Sequence, residues 1–134
     1  MLLLDAGVWI ASGMSADPWH DSAEELIRKP PVLLAALDLT LYEVANVVGV
    51  RDRRPETART LTQILRRRCR DWIVTLDDDL LEATLEVASE HKLTAYDAAY
   101  VATARSNDWQ LVSTDIRDLV SKGLAVTPDA ALYP

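Results

Sequence analysis

The sequence predicts an α/β fold in which a mostly parallel central sheet is flanked by helices. Short apolar runs of strand length alternate along the chain with longer segments of helical periodicity. Aspartates stand at or just after the ends of the first and fourth of those runs. With 134 residues, 49% of them hydrophobic, the chain has the size of one domain spanning residues 1–134 and can bury a sizeable core.

The elements follow in order. Leu2 to Leu4 form a first strand that ends at Asp5. A helix is expected over 20–28, and Pro30-Pro31 then turns the chain into a second strand over Val32 to Leu37. Helices over 39–50 and 55–69 form a hairpin, because Arg54-Pro55 separates them and proline suits a first helical position. Trp72 to Leu76 reads as the third strand. The helix that follows, 79–91, is preceded by Asp77-Asp78-Asp79, whose charge suits a helix N-terminus. A helix over 95–106, a strand over Gln110 to Ser113, a helical segment over 116–121 and a last strand over Leu124 to Val126 complete the alternation.

Several chemistries are excluded at once. Four glycines cannot build a phosphate-cradling loop, so nucleotide-triphosphate hydrolysis and dinucleotide redox chemistry are poor candidates. Cys69 is the only cysteine, which rules out an internal disulfide or a cysteine-based zinc site, and with no histidine nearby in sequence it is a bystander. His20 and His91 lack the paired spacing of a zinc site and are expected on the surface. Trp9, Trp19, Trp72 and Trp109 form no stripe and are expected to pack rather than to stack on bases. The stretch from Met1 to Met14 has no basic start and contains Asp5, so neither a signal peptide nor a membrane span is expected. The protein is predicted to be soluble and cytoplasmic.

The net charge of −7 conceals a split. Between Arg51 and Arg70 lie eight arginines against Asp52 and Glu56, so the remainder is more acidic than the average. A basic segment on an acidic body suits an enzyme that grips phosphates at one place and holds metal ions at another; a solvated helix face is the plainer alternative.

Four acids carry the chemistry. Asp5 and Asp115 follow strands, and ligands of parallel sheets bind at the carboxyl ends of strands. Glu43 and Asp97 fall near helix starts, each three residues after a threonine, Thr40 and Thr94, in capping-box spacing. Each acid has a capping explanation by itself. Gathered together, they would repel one another and require a cation or shared protons. All-oxygen donors select hard ions, Mg²⁺ or Mn²⁺, which serve phosphodiester hydrolysis. Asp118 is either an outer ligand or a solvated helix residue.

The order of these motifs resembles a PIN-domain ribonuclease, and more narrowly the VapC-type toxins of prokaryotic toxin–antitoxin pairs. The resemblance rests on the first strand ending in aspartate, Glu-Val-Ala-Asn at Glu43, Leu-Thr-Ala-Tyr-Asp-Ala-Ala-Tyr-Val-Ala around Asp97 and Leu-Val-Ser-Thr-Asp at Asp115. It implies a PIN-like three-layer sandwich, Mg²⁺- or Mn²⁺-dependent endoribonuclease activity leaving 5′-phosphate ends, a VapB-type antitoxin as partner and a homodimer. It places the catalytic, metal-binding acids on Asp5, Glu43, Asp97 and Asp115, with Ser113 supporting them. Arg51, Arg53 and Arg54 are expected to hold RNA. One position departs from the pattern: the family usually has a serine, threonine or asparagine two residues after the first aspartate, where this chain has Gly7. Gly7 supports the rival reading, a catalytically weak or inactive binding module acting through protein or RNA contacts.

Overall fold

The computed structural model describes residues 1–133. Strands β1 (Leu2–Leu4), β2 (Leu34–Leu37), β3 (Ile73–Val74) and β4 (Gln110–Val112) lie side by side in the order β3-β2-β1-β4, every pair parallel. Leu3 stands opposite Ala35 on one side and Leu111 on the other, so β1 is central. The chain steps outward from β1 through β2 to β3 and then returns across the sheet to β4. The β1/β4 boundary is therefore the topological switch point, where parallel sheets open a crevice beyond their carboxyl ends.

The helices are α1 (Ala6–Ser12), α2 (His20–Arg28), α3 (Asp38–Val44), α4 (Pro55–Cys69), α5 (Asp78–His91), α6 (Ala95–Asn107) and α7 (Pro128–Leu132). Strand alternation divides the apolar residues between two cores. Leu2, Leu4, Leu34, Ala36 and Val112 face a layer that contains Trp9, Leu26, Leu61 and Leu65. Leu3, Ala35, Leu37 and Leu111 face the opposite layer, with Val87, Tyr100 and Val101. The predicted three-layer α/β sandwich is thus observed, and the unbroken Leu2-Leu3-Leu4 run is explained by burial on both faces.

The predicted boundaries hold at 20–28 and 55–69, and the hairpin closes around Pro55. The helix expected over 39–50 starts earlier, at Asp38, and after Val44 widens into a π-helical turn over Ala45–Arg51, where Asp52 N–H donates to the Val47 carbonyl at 3.0 Å. Gly49 lets this turn approach α4, since a Cβ there would lie 3.3 Å from Ala58 Cβ. Two helices were not anticipated. In α1 the residues after Asp5 are mostly apolar and offer no clear polar face; α7 is only five residues long. The strand expected over Leu124 to Val126 reduces to one bridge, Val126 to Val112, because the chain emerges from a turn at Gly123 and enters α7 at Pro128.

The tryptophans pack as expected: Trp9 is fully buried, and Trp72 and Trp109 meet edge to face with ring centroids 6.1 Å apart. Cys69, at the end of α4, is fully buried, and burial pushes its thiol up to about 12. Among the described residues no helix is long and apolar enough to cross a membrane.

Candidate active site

Asp5 leaves β1 in an extended conformation and caps α1, its Oδ1 accepting the Val8 N–H at 3.0 Å. The capping expected of this residue is observed. Its Oδ2 accepts the Ser113 hydroxyl, and the Ser113 oxygen in turn accepts the Asp115 N–H at 2.9 Å. Ser113 thereby links the acids that follow neighbouring strands β1 and β4. Asp5 is only 7% exposed. Burial pushes its carboxyl up to about 7; hydrogen bonds from Ser113 and Val8 oppose the rise, and the charges of Glu43 and Asp97 add to it.

Glu43 reaches the site from the second turn of α3, and here the capping-box expectation is corrected. Leu37 is the N-cap residue, while Thr40 lies inside the helix, fully buried. The Thr40 hydroxyl contacts the Tyr100 hydroxyl at 2.9 Å, and Tyr100 donates to Glu43 Oε1 at 2.9 Å. Burial holds the Glu43 carboxyl above its usual range, Tyr100 lowers it and Asp97 raises it. Tyr100, pushed well above the ordinary tyrosine range mainly by its own burial, stays protonated as a donor. Sequence reasoning missed Tyr100; its signal was the spacing, since a residue three beyond Asp97 on a helix shares its face.

Asp97 lies in the first turn of α6, where Thr94 Oγ1 accepts its N–H at 3.2 Å. The expected threonine cap is present. Burial raises the Asp97 carboxyl; Thr94 lowers it, Asp115 and Asp118 raise it further, and the charge of Lys122 lowers it. The rest of α6, including Ala98, Tyr100 and Val101, is buried, so the aspartate sits at the exposed start of an anchored helix. Asp115 caps a π-helical turn over Ile116–Val120, its Oδ1 accepting the Asp118 N–H at 2.9 Å. Asp118 itself is engaged by Arg117 at 2.8 Å, which holds its carboxyl below the usual range.

The departure at Gly7 has a steric counterpart. A Cβ on residue 7 would collide with Thr114 Oγ1 and lie 3.2 Å from Asp5 Oδ1. The Thr114 hydroxyl occupies the volume that a residue-7 side chain would fill, beside the first acid.

None of Asp5, Glu43, Asp97 and Asp115 forms an ion pair among the described residues. Their hydrogen-bond partners are neutral donors and their charges oppose one another, while Lys122 and Arg117 act on Asp97 and Asp115 without pairing with them. The donor chemistry and this repulsion fit a hard divalent cation. Among the described residues no three acidic, histidine or cysteine side chains already converge at ligand distance, so enclosing an ion requires side-chain rotation. The other sequence candidates lie elsewhere. Arg51, Arg53 and Arg54 gather at the turn between the α3 and α4 segments; Arg51 is paired with Asp52 at 3.1 Å and Arg54 reaches Met14 Sδ at 3.7 Å. Asp77 caps α5 by accepting the Leu80 N–H at 2.8 Å.

A parallel three-layer sandwich with unpaired carboxylates at its switch point defines a class, and the chain matches the PIN domain family over residues 2–121. It belongs to that family. Within it, the chain is similar to Exonuclease VapC9 of Pyrobaculum aerophilum, with 31% identity over 120 residues that cover 90% of this chain and 84% of the relative. Among solved structures, VapC20 of Mycobacterium tuberculosis, a toxin described as cleaving the sarcin-ricin loop, aligns with a TM-score of 0.77 at 21% identity, covering 92% of this chain and 95% of that one. A toxin–antitoxin complex from Klebsiella pneumoniae aligns at 0.71 and 22% identity, covering 96% and 98%. Both structures share the fold.

Proposed function

We propose that this chain, acting as one PIN domain over residues 1–134, is the metal-dependent endoribonuclease toxin of a toxin–antitoxin pair, cutting phosphodiester bonds to leave 5′-phosphate ends. The observation that carries the reading is the set of four carboxylates brought near one another from β1, α3, α6 and the end of β4, none of them in an ion pair among the described residues. The name of VapC9 supports nuclease activity; because that relative is called an exonuclease, internal cleavage is the finer part of the proposal.

Asp5, Asp97 and Asp115 would hold the principal Mg²⁺ or Mn²⁺, with Glu43 helping to hold a second ion or orienting the attacking water. Such an ion, when bound, supplies Lewis acidity at the scissile phosphate. The chain's own residues do the remaining work. Ser113 fixes Asp5 relative to Asp115, and Tyr100 fixes the Glu43 carboxylate while leaving its second oxygen available to accept a proton from water. The buried remainder of α6 holds Asp97 in place. Arg51, Arg53 and Arg54 would hold the RNA backbone. The protein would work in the cytoplasm, as a homodimer, restrained by a VapB-type antitoxin that presents a basic side chain to the acids.

The binding-module alternative rests on Gly7, where the Thr114 hydroxyl stands in the volume a residue-7 side chain would fill. Sequencing of 5′-phosphate ends after induced expression tests the proposal. Reproducible internal cleavage sites are expected with wild type and not with Asp97→Asn. Equal ends with both proteins would overturn the catalytic assignment, and calorimetry with Mn²⁺ would show whether the acids bind metal at all.

A further inference from the structure

We propose that a second polyanion site lies at the opposite end of the sheet, in a cavity of about 560 Å³ where Arg28, Arg67, Arg68 and Arg70 bind the phosphodiester backbone of an RNA strand. Asp5 and Asp115 follow the carboxyl ends of β1 and β4, and Glu43 and Asp97 come to the same end from α3 and α6. This cavity lies between α2 and the end of α4, and Arg28 and Arg70 stand shortly before the starts of β2 and β3. One carboxylate, Glu24, is part of its wall.

The arginines are exposed, and among the described residues none of the four forms an ion pair, although the chain carries a net charge of −7. Two are held by neutral acceptors instead. Arg68 Nη2 donates to the Arg28 carbonyl at 3.1 Å, and Arg70 Nε donates to the Arg67 carbonyl at 3.3 Å. A carbonyl restrains a guanidinium without cancelling its charge, so Arg68 keeps Nε and Nη1 free and Arg70 keeps both terminal nitrogens free. Donors positioned in this way suit the paired oxygens of a phosphate. Arg70 also adopts φ 43°, ψ −109°, a backbone conformation that L residues rarely occupy and glycine adopts readily. The position retains a cationic side chain at a backbone that favours glycine, and strain of this kind clusters at functional sites. Surface ion pairs elsewhere, such as Arg105 with Glu90, show the ordinary alternative.

The choice of phosphate over an acidic peptide rests on the ribonuclease reading of the acid site, whose substrate is itself a polyanion. A strand held at the cavity and cut at the acids would have to cross the domain, so the site favours long RNA over short.

Binding is measured by fluorescence anisotropy with a labelled 2′-O-methyl RNA oligonucleotide, which resists cleavage, in EDTA and across a range of NaCl concentrations. The R67Q/R68Q double variant is expected to bind at least about tenfold more weakly at low salt, with the slope of log K against log salt shallower by about 1.4. Arg70→Gly is expected to weaken binding about threefold while leaving Tm equal or higher, since glycine accepts that backbone. Wild-type affinity and slope in R67Q/R68Q would overturn the proposal, as would displacement of the oligonucleotide by poly-glutamate at equal charge concentration. The two readings fail separately. If Asp97→Asn abolishes cleavage while R67Q/R68Q binds normally, only the cavity proposal falls; if wild type never cleaves RNA yet R67Q/R68Q loses binding, only the catalytic reading falls.

Discussion

The two ends of the sheet treat charge in the same way with opposite sign, and both differ from the surface between them. At the carboxyl ends of the strands, Asp5 and Glu43 are held by Ser113, by a backbone N–H and by Tyr100. At the amino ends, Arg68 and Arg70 are held by backbone carbonyls. On the surface, Arg117 pairs with Asp118 and Arg59 with Glu56. A charge positioned by neutral groups keeps its full field for something outside the chain, whereas a paired surface charge has spent most of it within. The acid end adds burial, which the arginine end lacks, and so only the acid end couples its charge to folding.

That difference is most open to attack through pH. The folded-state pKa of Asp5, about 7, lies above its ordinary value of 3.8, so the folded protein binds a proton that the unfolded chain has released. The contribution of Asp5 to stability without metal is therefore fully present below about pH 4 and is lost as pH rises toward 7, by up to about 4 kcal/mol. Glu43 and Asp97, both raised, act in the same direction. Urea unfolding in EDTA between these pH values is expected to show the slope, and Mn²⁺ is expected to flatten it. A metal-free protein that became more stable toward pH 7 would break the comparison.

The next largest effect is on rate. Asp97→Asn is expected to lower cleavage by at least ~100-fold while leaving the fold intact, measured on a labelled RNA under single-turnover conditions. Gly7→Ser comes third. The new side chain meets Thr114 Oγ1, and a loss of about 2 kcal/mol is expected in thermal unfolding, much of it recovered when Thr114→Ala is added. Additive effects of the two substitutions would show that the positions do not share one volume. The smallest is Tyr100→Phe, which removes the link between Thr40 and Glu43 and should cost about 1 kcal/mol. It should also move the acidic limb of the pH–rate profile upward, because Glu43 loses the donor that lowers its pKa.

Much of this architecture is legible in the residues alone. The amphipathic helices 20–28 and 55–69 read correctly because one face is apolar and their ends carry Pro30-Pro31 or Pro55. Helix α1 was missed because its contrast between faces is weak, so periodicity had little to detect. Leu124 to Val126 has strand composition, but pairing depends on where neighbouring turns leave the backbone. At the candidate site, the order of motifs singles out four acids and Ser113, which the fold brings near one another. Thr40 and Tyr100 are not singled out, because their contact joins residues 60 positions apart, and the threonine's local spacing pointed to a cap that the earlier start of α3 removes.

The lone thiol has a practical use. Cys69 is sealed in the core and held protonated far above neutrality, so the native protein should be inert to alkylating reagents until it opens. Every labelling event then counts an excursion that exposes the end of α4, and its rate is a clock for opening. Run with and without Mn²⁺, that clock would report how much an ion at one end of the sheet slows opening at the other, with no probe introduced and no residue changed.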